Sequence, residues 1–260
     1  MIIILNKKGK IMLFNKNEIK LHYTLAESED GFNNLILIHD NGMSSRIFDT
    51  EINFYSTYFN TVTFDMTAHG KSPNVTDFDN YWTMNASAIL KICEKLKINK
   101  ASIIGTGTGS MVAMNMALIK PGFVKSIIAE SFPGISPDEA YIEHLISFRE
   151  KIHHSDLKNK YLMCNGSKWE KILKEDTEMQ IDFAERGGSF IHGSLEDINC
   201  PILLTGSYGY DLLPDIEQRI SKAAESLKKC QIHFFSSGKY PTFLSKNDEF
   251  RALSLNYIME

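Results

Sequence analysis

Near the amino end, two segments separated by polar residues carry the first pattern. KIMLFN (10–15) and IKLHYTLAE (19–27) change character about every second residue, the period of a strand with one covered face, and together they predict an antiparallel hairpin. The alternation then stops. LILIH (35–39), TVTFD (61–65), ASIIG (101–105), VKSIIAE (124–130), PILLTG (201–206) and QIHFF (231–235) are almost continuously apolar, which suits strands covered on both faces of a parallel sheet. Between them the period lengthens. SRIFDTEINFYSTYF (45–59), MNASAILKICEKLKI (84–98) and SMVAMNMALIK (110–120) repeat apolar residues three and four apart, as amphipathic helices do. The predicted architecture is α/β, with about eight mostly parallel strands and helices on both faces.

Residues 135–195 break the alternation of strand and helix. SPDEAYIEHLISFREKI (136–152) opens with a Ser136-to-Glu139 capping arrangement, and SKWEKILKE (167–175) and EMQIDFAERGG (178–188) also carry the helical period. We expect a small helical lid at 135–195, set over the carboxyl ends of strands built from 1–134 and 196–260.

Composition narrows the classes of function. At 260 residues the chain suits one large domain, and a net charge of −4 offers no basic field for nucleic acid or a lipid surface. Cys93, Cys164, Cys200 and Cys230 are scattered, so neither a disulfide framework nor a zinc site is implied. MIIIL (1–5) is too short for a signal core or a membrane span, which leads us to expect a cytoplasmic protein. No spacing calls for a metal or a cofactor.

Four segments carry a family resemblance: LILIHDNGMSS (35–45), FDMTAHGKS (64–72), IIGTGTGSMVAMNMA (103–117) and CPILLTGSYGYDLLP (200–214). In this order and spacing the chain resembles the α/β-hydrolase superfamily, and in particular its small lidded esterases, acyl-thioester hydrolases and carbon–carbon bond hydrolases. The resemblance implies a sharp strand-to-helix turn at GTGTGS (105–110), with Gly105 and Gly109 on the two small positions and Gly107 where the nucleophile would stand. Glycine has no attacking atom, so covalent catalysis at residue 107 is excluded. Placing Thr106 or Thr108 there instead would lose the glycine bracket.

The other triad positions are altered as well. The stretch SSGKYPTFL (236–244) matches the family's Gly-His-aromatic-Pro loop, with Lys239 in the histidine's place, and Asp211 stands about where the acid is kept. Asp211 either pairs with Lys239 or caps the following helix. His39 and His69 fall where the family's histidines hold loops by hydrogen bonds. The backbone N–H of Thr108 and one from the loop at Asp40 and Asn41 would form the oxyanion hole, yet Asp40 replaces the family's glycine and would oppose an anion unless it turns outward. Thr67 and Ala68, replacing the family's arginine and glycine, suggest that their loop is under relaxed demands.

Two readings follow. In the first, the protein is a catalytically degenerate pseudoenzyme that binds an apolar or acyl-like small molecule; Gly107, Asp211 and Lys239 mark the lost triad, and His39, Asp40, Asn41, Thr106 and Thr108 line the ligand site. In the second, it hydrolyses ester- or acyl-type molecules with Thr106, Thr108 or Ser110 as nucleophile, assisted by Lys239. Phe148, Tyr161, Trp169 and Phe183 are aromatic candidates on the lid. Nothing in the sequence indicates a protein partner.

Overall fold

The computed structural model describes residues 8–11, 19–29, 33–74 and 80–260. Eight strands form one sheet in the order β1-β2-β4-β3-β5-β6-β7-β8. These are β1 (Lys8–Ile11), β2 (His22–Ala26), β3 (Asn34–Ile38), β4 (Asn60–Phe64), β5 (Ala101–Thr106), β6 (Val124–Glu130), β7 (Ile202–Ser207) and β8 (Cys230–Phe235). β1 pairs antiparallel with β2 and β2 antiparallel with β4, and every other pairing is parallel. Most of the predicted strand at 10–15 lies outside the described residues.

The continuous apolar runs explain which strands are central. β5 and β7 are buried at every position, with Ile103, Ile104, Leu203 and Leu204 at the centre of the core. β8 is partly exposed, as an edge strand is. Helices α1 (Asp49–Tyr55), α2 (Tyr81–Lys95) and α3 (Gly109–Ile119) follow β3, β4 and β5. α3 is buried from Gly109 through Ala117, so small and flexible side chains (Ala113, Ala117, Met111, Met114, Met116) are what fit there. Each buried apolar side chain contributes about 1.5–3 kcal/mol, which fixes α3 against the sheet and with it the turn at its amino end.

Between β6 and β7 run α4 (Glu139–Glu150), α5 (Leu157–Asn165) and α6 (Trp169–Glu185). α4 is capped by Asp138, whose carboxylate accepts the Tyr141 N–H; Ser136, the residue expected from the sequence, is not the cap. The two helical patterns at 167–175 and 178–188 join into the single helix α6, whose buried stripe is Trp169, Leu173, Asp176, Met179, Gln180 and Phe183. Two members of that stripe are polar: Asp176 reaches Asn41 of the site described below, and Gln180 donates to Asp176. α7 (Ile216–Ala224), α8 (Thr242–Ser245) and α9 (Asn247–Met259) complete the chain; the sequence pattern left α5, α8 and α9 unassigned. Cys93 and Cys164 are buried, and all four cysteines are free.

Candidate functional site

The site lies at the carboxyl ends of β3, β5, β6 and β7, where the strands hand over to loops. β5 turns into α3 through Gly107, whose φ of +51° is the left-handed conformation that glycine adopts at little cost. A Cβ on Gly105 would sit 2.6 Å from the Ser110 Cα, and one on Gly109 would strike the His39 carbonyl. The glycine bracket read from the sequence is therefore a steric requirement of this turn. Ala68, expected to mark a relaxed loop, also holds a left-handed φ of +64°, so that loop keeps its demanding shape without the glycine that would ease it.

Asp40 decides the chemistry. Its carboxyl turns inward and occupies the space that a side chain on Gly107 would fill, so that a Cβ there would collide with it. Oδ1 accepts the Thr108 N–H at 2.7 Å and the Asn41 N–H at 2.8 Å, and the Thr108 hydroxyl lies 2.7 Å from the same oxygen. These are the two N–H groups expected to serve a substrate oxygen, and here the protein's own carboxylate holds both. Oδ2 accepts the Tyr240 hydroxyl at 3.0 Å. Burial pushes the Asp40 carboxyl above its ordinary range, and the bonds from Thr108, Tyr240 and Asn41 oppose that rise. The Tyr240 phenol is pushed well above its ordinary value by burial and by the nearby Asp40 charge, which keeps it a proton donor.

Tyr240 takes the inward position that the sequence reading gave to Lys239. Lys239 is exposed, and among the described residues it forms no ion pair with Asp211. Asp211 accepts the Tyr240 N–H at 2.8 Å, so it neither caps α7 nor pairs with lysine; it fixes the backbone of the inward tyrosine. Phe148 of α4 packs edge-on against the Tyr240 ring at 5.3 Å, and Tyr210 does so from the other loop at 5.9 Å. Sequence reasoning missed Tyr240, although its signal was present: it holds the aromatic position of the Gly-His-aromatic-Pro loop.

The three candidate hydroxyls separate clearly. Thr106 Oγ1 lies 3.5 Å from the Ile38 carbonyl, and Ser110 Oγ donates to the Gly107 carbonyl at 2.5 Å, which ties it to the first turn of α3. Thr108 Oγ1 alone contacts a carboxylate, and it is also 2.6 Å from the Asn41 amide oxygen.

The histidines hold loops. His39 contacts the Asp40 carbonyl through Nδ1 at 2.7 Å and accepts the Met66 N–H on Nε2 at 2.9 Å. Burial, and next the neighbouring His69, lower its pKa to about 4, so it is neutral near pH 7. His69 accepts the Gly42 N–H on Nε2 at 2.8 Å. Asn41 links the site to the helices above: its Nδ2 donates to Asp176 of α6 at 2.6 Å, and Arg149 of α4 donates to the same carboxylate at 2.6 Å.

A cavity of about 470 Å³ opens beside this link, between α6 and the 66–74 loop, with His69, Tyr81, Asp176 and Met179 in its wall. Of the aromatic candidates, Phe148 faces the site through Tyr240, whereas Phe183 packs on Trp82 at 4.9 Å and Trp169 on His153 at 5.0 Å. Among the described residues no group of three or more His, Cys, Asp and Glu side chains could hold a metal ion, and no helix is long and apolar enough to cross a membrane.

Comparison with known proteins agrees with this architecture. Residues 33–153 match the family described as alpha/beta hydrolase fold. An (E)-2-((N-methylformamido)methylene)succinate hydrolase of Acinetobacter baylyi is 22% identical over 224 residues, covering 76% of this chain and 80% of that protein. Among solved structures, the 2-hydroxy-6-oxo-6-phenylhexa-2,4-dienoate hydrolase of a Rhodococcus strain superposes with a TM-score of 0.79 at 14% identity, covering 98% of this chain and 100% of that one. The meta-cleavage product hydrolase of Pseudomonas fluorescens gives a TM-score of 0.74 at 17% identity over 96% and 97% of the two chains. The match over residues 33–153 and the superpositions over nearly the whole chain show that the protein has the α/β-hydrolase fold.

Proposed function

We propose that the protein hydrolyses small ester- or acyl-type molecules, with Thr108 supplying the attacking oxygen and Asp40 acting as its base. One observation carries this reading: the Thr108 hydroxyl stands 2.7 Å from the buried Asp40 carboxylate, whose other oxygen is held by the Tyr240 hydroxyl. A nucleophile, a base within hydrogen-bond reach and a third group orienting the base are the parts a covalent hydrolase needs. Burial strengthens the base by raising its pKa, the direction proton abstraction requires.

Asp40 takes the Thr108 proton as Oγ1 attacks the carbonyl carbon, and returns that proton to the leaving group as the carbon–leaving-group bond breaks. Water activated by the same carboxylate then cleaves the threonyl ester. Protonating Asp40 also weakens its hold on the Thr108 and Asn41 N–H groups at the moment the substrate oxygen becomes negative and needs them. The hydrolases among the similar proteins support a hydrolytic activity, and Asp40 replaces Lys239 as the assisting group. The substrate reaches the carboxylate from the cavity under α6 once the lid contact between Asp176 and Asn41 parts.

A second reading rests on the same carboxylate. Asp40 is 8% exposed, Thr108 1% and Tyr240 5%, and Asp40 fills the anion site with every donor satisfied, which describes a plugged and non-catalytic pocket. The two readings separate in one experiment. Under the hydrolase reading, a fluorophosphonate probe labels the peptide containing Thr108, short acyl nitrophenyl esters turn over, and both signals fall at least about a hundredfold in Thr108→Val but not in Ser110→Ala. Absence of labelling and turnover in the folded wild-type protein would leave the plugged pocket as the reading.

A further inference from the structure

Behind the Gly107 turn lies a second buried carboxyl that the proposed reaction does not use. Glu130 closes β6 and is 1% exposed. Its backbone carbonyl accepts the Gly107 N–H at 2.8 Å, while its Oε1 accepts the Thr242 N–H at 3.0 Å and the Ser131 hydroxyl at 2.5 Å. Thr242 begins α8, two residues after Tyr240, so one residue grips both the turn and the segment that carries the inward tyrosine. Ser131 holds this clasp in a left-handed φ of +54°, a conformation that a non-glycine residue keeps only where its surroundings impose it.

No counter-ion accompanies Glu130. Among the described residues no Lys, Arg or His side chain pairs with it. Its titratable neighbours are Asp40, from the loop after β3, and the Tyr210 phenol, from the loop after β7. The turn after β5, strand β7 and helix α8 present Gly107, Thr205 and Thr242, none of which titrates.

We infer that Glu130 is the positioning residue of the Tyr240 segment, a latch worked by one proton: with the proton on, the carboxyl holds Thr242 and so keeps Tyr240 against Asp40, and without it the segment opens more often. The inference rests on the reading of Asp40 and Tyr240 as the reactive centre, but its test reads local opening and not turnover, so either can fail without the other.

The physical cause is the burial of an uncompensated carboxylate. Burial, with the Asp40 charge as a smaller contribution, pushes Glu130 from 4.5 up to about 7. Opening the segment hydrates Glu130 and returns it to the ordinary value. A raised pKa in the closed state means that closure is fully favoured below about 4.5, loses that advantage as pH rises through about 7, and is level above. Over pH 5 to 8 the opening constant should rise roughly seventyfold.

Hydrogen exchange at the Thr242 amide measures this opening once the intrinsic pH dependence of exchange is divided out. In the wild-type protein, protection at Thr242 should fall roughly seventyfold from pH 5 to pH 8, while Ile104 in the middle of β5 shows no matching loss. Glu130→Gln keeps an acceptor oxygen but cannot ionise, so its Thr242 protection should stay level across that range. Glu130→Ala removes the clasp and should expose Thr242 at every pH. A level wild-type profile, a Gln variant that loses protection as the wild type does, or an Ala variant with wild-type protection would each overturn the latch.

Discussion

At the scale of single residues, the site turns on what one carboxylate does. If Asp40 is the base, its charge matters more than its shape. Asp40→Asn keeps an oxygen for the Thr108 and Asn41 N–H groups and loses the proton acceptor. Stability should then stay within about 1 kcal/mol of wild type, whereas probe labelling at Thr108 falls by a factor of about 10² or more. Thermal unfolding and labelling measured on the same sample would check both halves, and an Asn variant labelled at the wild-type rate would exclude Asp40 as the base. Tyr240→Phe tests the other oxygen. Removing the hydroxyl strips Oδ2 of its protein donor, so unfolding free energy should drop by about 1–3 kcal/mol. The same change removes a bond that favours the ionised form, so Asp40 should titrate still higher. A carbon-13 NMR titration of the labelled Asp40 carboxyl would read that direction.

At the scale of elements, the strand-turn-helix unit β5–α3 and the loop after β3 share one volume. Gly107 is glycine for two separable reasons, its left-handed φ and the Asp40 carboxyl pressed against it. Gly107→Ala should destabilise by about 3 kcal/mol, and in an Asp40→Gly background only the conformational cost of about 1–2 kcal/mol should remain. Urea unfolding of the four proteins in that cycle gives the coupling; additive effects would show that the carboxyl does not occupy this space in solution. The contrast also explains what the sequence could reveal. Gly105, Gly107 and Gly109 were legible because the family resemblance places a sharp turn there, and the turn leaves no room for a Cβ at Gly105 against Ser110 or at Gly109 against the His39 carbonyl. The inward turn of Asp40 was not, because a sequence position does not say which way a side chain points, and the donors that draw it in come from Thr108 and Tyr240, distant in the chain. Exchanging Lys239 for Tyr240 is a difference of one residue, settled by the bond from the Tyr240 N–H to Asp211, which no periodicity records. The β-strands were legible in their apolar runs, whereas the cap of α4 and the unbroken course of α6 depend on contacts with the body of the protein.

At the scale of the whole molecule, the helices between β6 and β7 are fastened to the rest of the fold by apolar contacts, Phe183 on Trp82 among them, and by a buried polar cluster. Asp176 of α6 sits at its centre, taking bonds from Arg149, Asn41 and Gln180 at 2.6, 2.6 and 2.8 Å. Burial raises the Asp176 carboxyl, but Arg149 and His69 outweigh it and hold the group below the usual carboxylate range. Its contribution to stability is therefore present above the unfolded value near 3.8 and lost only as pH falls through the lower folded value. Arg149→Leu would leave that charge buried without its cation, and at pH 7 it should cost about 3–5 kcal/mol. The sign of its pH dependence is then opposite to that of the native pair: with the cation gone, burial dominates, Asp176 titrates above its unfolded value, and the deficit shrinks as the pH is lowered and the carboxyl takes up a proton. Adding Asp176→Asn to Arg149→Leu should recover a large part of the loss at pH 7, since the remaining amide still accepts from Asn41 and carries no charge. Urea midpoints for the single and double variants at pH 7 and pH 5 would test this; a deficit that is the same at both pH values, with no recovery in the double variant, would mean that the helices are held by apolar packing and that the Arg149–Asp176 pair only accompanies it.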